Sequence, residues 1–99
     1  AYAKKSFGMY SGKGQKVKLY MENQLAGVIV DRFGKDVMMR PVDETHFTAL
    51  VDVAVSRQFL AWVMGLGDGV KITEPEALVE KMRQEIKRLQ TRYDMIDKS

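Results

Sequence analysis

The hydrophobic residues of this chain alternate between two spacings, and this alternation strongly limits the possible folds. Residues 46–55 carry an apolar side chain at every second position, which is typical of a β-strand buried on one face. Residues 15–21 show the same spacing, whereas the apolar residues of segment 22–33 lie three or four positions apart, as on one face of an α-helix. The chain therefore combines half-buried strands with amphipathic helices.

Two further segments continue this alternation. Residues 37–42 predict a short strand at the edge of a sheet, because Pro41 cannot donate a backbone hydrogen bond to a neighbouring strand. Ser56 is a good N-cap for a second helix, and we expect Gly65 and Gly67 to end it.

A last strand and a last helix complete the pattern. Residues 70–73 predict a brief strand, and Pro75 suits the first turn of a helix that extends to about residue 93. The β-α-β-β-α-β order is that of the split β-α-β arrangement, in which right-handed crossovers place both helices on one face of the sheet. We predict an α+β fold with a ferredoxin-like (βαββαβ) four-stranded antiparallel sheet plus a C-terminal helix.

The composition fits one domain without disulfides or membrane spans. The chain has 99 residues, of which 45% are hydrophobic and 29% charged, close to ordinary globular usage. Because it has no cysteine, disulfides, thiolate metal sites and a cysteine nucleophile are excluded. No long apolar run or signal peptide is visible, so we expect a cytoplasmic domain at residues 15–99, preceded by a linker or domain exit at residues 1–14.

The sequence indicates no enzyme activity, cofactor or metal site. His46 is the only histidine, and we interpret it as an exposed or capping residue because no motif places a nucleophile or acid beside it. The glycines of segment 65–69 follow a helix and precede a strand, the reverse of a phosphate-binding loop. A small hydrolase of this topology would need an arginine and a glycine-rich loop after the first strand, and residues 21–24 offer neither.

The sheet face away from the helices is the candidate binding surface. Odd-numbered strand residues should face the helices, which leaves the even-numbered ones on the open face. The candidates for contact with a ligand or a docked domain are Lys16, Lys18, Tyr20, Arg40 and Thr48. Tyr20 and the cations could bind an anion or a base, although the glycine–aromatic signature of RNA-recognition domains is absent. Met38 and Leu50 on the same face favour docking of another domain or subunit.

The last helix offers a second surface. Its apolar residues step by four, three, four and three positions, which is a heptad seam: Met82, Ile86, Leu89, Tyr93 and Ile96. Because this seam is barely two heptads long, we favour packing on the domain's own sheet over a coiled coil. We interpret Phe59 and Trp62 of the preceding helix as core residues.

Several landmarks along the chain occur together in a known family. They are Gly34-Lys35-Asp36 through Arg40-Pro41-Val42-Asp43, His46-Phe47 with alternating valines, Ser56-Arg57-Gln58-Phe59-Leu60-Ala61-Trp62-Val63-Met64-Gly65-Leu66-Gly67, and Val70-Lys71-Ile72-Thr73-Glu74-Pro75-Glu76. The most specific is the aromatic–x–x–Trp helix that ends in Gly-x-Gly and precedes a short strand and Pro-Glu. Over about residues 15–93 the chain resembles the C-terminal extension (WCX) of WYL-domain transcriptional regulators, and Phe7-Gly8-Met9-Tyr10 resembles the exit from the preceding WYL barrel.

This resemblance implies a bacterial transcription regulator with an N-terminal winged helix-turn-helix, a WYL domain that senses the effector, and this extension. It implies a C-terminal module for regulation, ligand sensing and homodimer formation, with the preceding WYL and helix-turn-helix domains as partners and a nucleotide or single-stranded nucleic acid as a possible effector. Neither the Trp-Tyr-Leu motif nor a helix-turn-helix is present, so we expect no direct reading of DNA. The alternative is a domain that binds a small molecule, a nucleotide or single-stranded nucleic acid on its open sheet face.

Overall fold

Four strands form one antiparallel sheet in the computed structural model, which describes residues 14–96. The strands are β1 (Gln15–Glu22), β2 (Met38–Pro41), β3 (His46–Val53) and β4 (Val70–Glu74), and their order across the sheet is β2-β3-β1-β4. The predicted strands are confirmed, including the position of β2 and Pro41 at the edge. The predicted linker lies outside the described residues except for Gly14.

Three helices complete the domain. They are α1 (Ala26–Phe33), α2 (Arg57–Gly65) and α3 (Glu76–Ile96). The α+β fold and the predicted order of elements are therefore confirmed. Two helix boundaries differ from the prediction: residues Asn23–Leu25 form a 3₁₀ turn before α1, and α3 continues to Ile96 rather than ending near residue 93. Among the strands, the third ends at Val53 rather than at residue 55.

The ends of α1 and α2 carry typical cap residues, among them the predicted N-cap Ser56. The Ser56 hydroxyl accepts a hydrogen bond from the Phe59 backbone N–H at 3.3 Å, which satisfies one of the unpaired donors of the first helical turn. Gly34 closes α1 with a φ of 94°, and Gly67 follows α2 with a φ of 78°, angles that side-chain-bearing residues rarely adopt. These local signals explain why the helices are short.

The core lies between the sheet and the helices. From Val17 onward, the odd-numbered residues of β1 and β3 are buried together with side chains of all three helices, as the alternation predicts, whereas Gln15 at the start of β1 is exposed. The largest fully buried side chains are Val17, Leu19, Met21, Ile29, Phe33, Val53 and Phe59. Each such side chain contributes about 1.5–3 kcal/mol by leaving water. Phe59 is thus in the core, and Trp62 packs against it while remaining partly exposed.

Helix α3 packs on the domain only near its N-terminus. Leu78 is buried, and Val79 and Met82 are partly buried against the core. Farther along, the apolar residues Ile86, Leu89 and Tyr93 are exposed. The expectation that this helix packs on its own sheet therefore holds for its first two turns, beyond which the apolar stripe leaves the domain. None of the helices within residues 14–96 is both long and apolar enough to cross a membrane.

Candidate functional site

The register of the sheet brings three of the predicted site residues into one row. Tyr20 in β1 lies opposite Thr48 in β3, and Thr48 lies opposite Arg40 in β2. Side chains of directly opposed residues share a face of the sheet and approach to within about 5 Å at their Cβ atoms. Lys18 is the next outward residue of β1, whereas Lys16 lies at the far end of the strand, opposite Asp52. Lys16 is therefore the predicted residue most distant from the row.

The ring of Tyr20 already has neighbours. The His46 imidazole stacks on it with a centroid separation of 4.7 Å and an interplanar angle of 5°. The ammonium group of Lys71, from β4, lies 6.0 Å from the Tyr20 centroid, near the outer limit for a cation–π contact. An incoming base would have to displace one of these groups or extend the stack from the imidazole.

A tight turn before β3 positions His46. The Asp43 carboxylate accepts hydrogen bonds from the backbone N–H groups of Thr45 and His46, each at 2.8 Å. These bonds, led by the one from the Thr45 backbone, hold the pKa of Asp43 below its usual value. The His46 Nδ1 atom lies 2.8 Å from the Thr45 hydroxyl oxygen and 3.5 Å from the Asp43 carboxylate. The interpretation of His46 as merely exposed or capping is thus incomplete, because its half-buried ring belongs to the open face.

A shallow depression of about 270 Å³ lies beside this row. Met38 and Leu50 line it and are 59% and 37% exposed, respectively. The charged side chains around them are Lys18, Arg40 and Glu74, and the Lys18 ammonium lies 3.9 Å from the Glu74 carboxylate. The depression therefore combines an exposed apolar centre with charges of both signs, a composition suited to contact with another protein surface.

Metal chemistry has little support in the part of the chain that the structure describes. Among residues 14–96, no group of three or more histidine, aspartate or glutamate side chains could hold a metal ion. The Asp43 and His46 pair supplies only two such side chains, and hydrogen bonds within the turn account for their arrangement. What the turn does is orient an imidazole on the sheet face.

The exposed end of α3 forms a second candidate surface. Ile86, Leu89 and Tyr93 are 51%, 36% and 67% exposed, respectively. An apolar groove of about 720 Å³ lies next to this stripe, between α2, β4 and α3. Its apolar lining includes Val63, Met64, Ile72, Val79, Met82 and Ile86. Exposed apolar residues that continue into a groove are typical of a contact site for another chain.

Two residues of the open face were not among the predicted site residues. His46 is an even-numbered residue of β3, and Lys71 lies between the inward-facing Val70 and Ile72 of β4. The assignment of even-numbered residues to the open face could have identified His46, but it is wrong for β4, where the even-numbered Val70 and Ile72 are buried and the odd-numbered Lys71 faces outward. Only the register between strands, which the sequence of one strand does not contain, shows that they meet at Tyr20.

Comparison with known proteins identifies the family. The model of the WCX domain matches residues 13–90, which is most of the chain. WCX is the C-terminal extension of WYL-domain regulators. A search among curated proteins finds no match to this chain. The resemblance inferred from the landmarks of α2, β4 and the start of α3 is confirmed, and the chain belongs to the WCX domain family.

Proposed function

We propose that this chain is the C-terminal regulatory module of a bacterial helix-turn-helix regulator of the WYL type. In this proposal the module contributes to the response to an effector and to self-association, and it does not read DNA directly. The match of the WCX model to residues 13–90 is the observation that carries this proposal. A module of this kind would act in the cytoplasm, where the regulated DNA lies. Its immediate partner would be the WYL domain that precedes it.

The ferredoxin-like assignment belongs to the same proposal. It is supported by the β-α-β-β-α-β order and by the central position of β1 and β3 in the sheet. It is also supported by the burial of α1 and α2 side chains against the odd-numbered strand residues. This arrangement leaves a whole sheet face available to another domain of the same protein.

The open face has the chemistry of a domain contact. Met38 and Leu50 expose apolar surface, while Lys18 and Arg40 can pair with acidic groups of a facing domain. Apolar centres surrounded by charged side chains are typical of contacts between domains that move relative to one another. A signal from an effector-bound WYL domain could therefore reach this module through its sheet.

The experiment that tests this proposal begins with the gene. The sequence upstream of Ala1 should encode a WYL domain and a helix-turn-helix. In that regulator, Leu50→Ser should weaken the effector's control of transcription while operator binding persists, because the change removes apolar contact area on the open face. Asp52→Ser, on the same strand and face, is the matched control. An upstream sequence that lacks both domains would refute the proposal.

A second function is favoured by one observation, the stack of His46 on Tyr20 with Lys71 nearby. Stacked rings beside cations suit nucleobases and phosphates, so the open face could bind a nucleotide or single-stranded nucleic acid. Titration with a thymidine oligonucleotide should then shift the amide NMR signals of Lys18, Tyr20, Arg40 and Thr48. Tyr20→Leu should abolish those shifts, whereas Tyr93→Leu, on exposed α3, should not. Unchanged signals at all four residues up to millimolar ligand would exclude this function.

A further inference from the structure

We propose that the C-terminal part of α3 pairs in antiparallel orientation with the same segment of a second copy of this chain. This inference names the surface through which the proposed self-association would occur. It rests on the proposed function in this respect alone. Its starting point is the apolar stripe of Ile86, Leu89 and Tyr93, which is exposed beyond the part of α3 that packs on the described elements. A helix that is apolar along one face is stabilised when that face packs against another element.

The spacing of the stripe is self-complementary. Met82 and Leu89 occupy the d positions of a heptad, and Ile86 and Tyr93 occupy the a positions. Antiparallel helices place a positions opposite d positions. With the two-fold axis between Lys87 and Arg88, Ile86 lies opposite Leu89 of the second copy, and Met82 lies opposite Tyr93 of the second copy. A single alignment therefore covers all four apolar residues.

The flanking charges favour the same alignment. Glu85 and Arg92 occupy g positions and would face each other twice across the two-fold axis. Arg83 would face Gln90, so no like charges meet. In a parallel alignment, the charged residue Glu85 would face the uncharged Gln90 within the described part of the helix, so no ion pair would form there. Exposed ion pairs contribute little energy, so these charges select the orientation rather than provide the affinity.

Glu85 is oriented by contacts within its own chain. Its carboxylate accepts a hydrogen bond from the Arg88 guanidinium and lies 3.5 Å from the Arg57 Nε atom. The Arg88 hydrogen bond, together with the nearby positive charges, holds the pKa of Glu85 below its usual value and so favours the ionised form. Because a carboxylate can accept about four hydrogen bonds, it can accept one more from Arg92 of the second copy.

The groove beside α3 provides space for the aromatic residue. Met82, Val79 and Ile86 line this groove, and the antiparallel alignment brings Tyr93 of the second copy against Met82. A tyrosine suits such a site because it buries a large apolar ring while its hydroxyl reaches water or a polar rim. The two-fold symmetry would fill the groove of each copy, whereas a parallel alignment would fill neither.

Light scattering of the 99-residue chain tests whether this dimer exists. We expect twice the chain mass of 11.3 kDa. Ile86→Asp should reduce the mass to that of one chain, because it places a charge in the apolar seam. Met95→Asp, at an exposed methionine outside the seam, should leave the dimer intact. The fluorescence of Trp62 should report unchanged folding in both variants.

Disulfide cross-linking tests the orientation, since the chain has no cysteine of its own. A mixture of Ile86→Cys and Leu89→Cys chains should form a cross-linked heterodimer, and neither variant should cross-link efficiently alone. Disulfides do not bridge Cα atoms more than about 7 Å apart, so self-cross-linking of Ile86→Cys would indicate parallel helices and overturn the proposal.

The oligomeric state also separates this inference from the proposed function. A chain that stays monomeric at millimolar concentration would overturn the α3 pairing and would mean that another part of the regulator covers the stripe. The presence or absence of WYL and helix-turn-helix domains upstream of Ala1 tests the proposed function independently of this oligomeric state.

Discussion

The carboxylate of Asp43 accepts hydrogen bonds from the backbone N–H groups of Thr45 and His46 and from the Thr45 hydroxyl. These bonds stabilise the ionised form and hold the pKa of Asp43 below the usual value of an aspartate. When the folded-state pKa is the lower one, the ionised carboxylate stabilises the fold above the unfolded pKa. That contribution disappears as the pH falls through the folded-state value.

We therefore expect Asp43→Asn to flatten the acid dependence of stability. Between about pH 4 and pH 2, the free energy of unfolding should fall less steeply in this variant than in the original chain. Thr45→Val should have a smaller effect, because it removes the hydroxyl but keeps the backbone N–H that contributes most. Urea unfolding at each pH, followed by Trp62 fluorescence, measures these slopes. Equal slopes for Asp43→Asn and the original chain would contradict the prediction.

Gly34 tests how much a single backbone angle contributes to stability. Its φ of 94° and ψ of 159° lie in a region that is almost restricted to glycine. An added Cβ would meet no atom within 4 Å, so any loss would come from the backbone angles alone. We expect Gly34→Ala to lower the free energy of unfolding by about 1–3 kcal/mol.

Gly27 is the matched control for Gly34. It lies within α1, has an ordinary φ, and has no atom within 4 Å of an added Cβ. Gly27→Ala should therefore stabilise the domain by about 0.5–1 kcal/mol, because alanine loses less conformational freedom in a helix. Urea unfolding measures both changes, and effects of the same sign would show that the angle at Gly34 is not the cause.

At the scale of elements, the start of α2 depends on one side chain. The Ser56 hydroxyl accepts a fairly long hydrogen bond of 3.3 Å from the Phe59 backbone N–H. We expect Ser56→Ala to cost about 0.5–1 kcal/mol, at the lower end of the range for N-caps. Ser56→Asp should retain most of the stability because a carboxylate can also cap the helix. Equal losses in thermal unfolding for the two variants would contradict this role.

The elements differ in how far their sequences predict them. The positions of β1 and β3 along the chain could be predicted accurately, because apolar and polar residues alternate along a half-buried strand. Both strands lie in the middle of the sheet. The stripe of α3 was equally visible, yet its surroundings were not predicted. Spacing of three and four shows that a face is apolar, but it does not show where the sheet ends beneath the helix.

The candidate site was predicted in part for a similar reason. Alternation correctly places Tyr20, Arg40 and Thr48 on one face, because each strand directs its own side chains. The stack on His46 and the approach of Lys71 depend on register, which arises from pairing between distant segments. A shift of one residue would send either side chain to the opposite face, so such contacts are determined by the pairing of the strands and not by the sequence of any one strand.

At the scale of the whole molecule, the stabilising contacts lie between β1 and the second turn of α3. Among the described residues 14–96, the buried hydrophobic residues fall between Val17 and Leu78, and the last partly buried residue against the core is Met82. Beyond Met82, Glu85 of α3 lies 3.5 Å from Arg57 of α2, and a pair whose arginine is largely exposed contributes little. We therefore expect the rest of α3 to be dispensable for folding and available for association.

This division predicts that shortening α3 lowers the stability of the domain much less than perturbing the base of the helix does. A chain that ends after Gln84 should keep the amide NMR spectrum of its sheet and lose no more than about 1 kcal/mol of stability, since it keeps every core contact. Leu78→Ala in the full chain should cost about 2–5 kcal/mol, because it leaves a cavity under the helix. Both are measured by urea unfolding at dilutions that keep the chain monomeric. If the shortened chain unfolded while Leu78→Ala did not, the exposed half of α3 would have to be essential for folding of the domain.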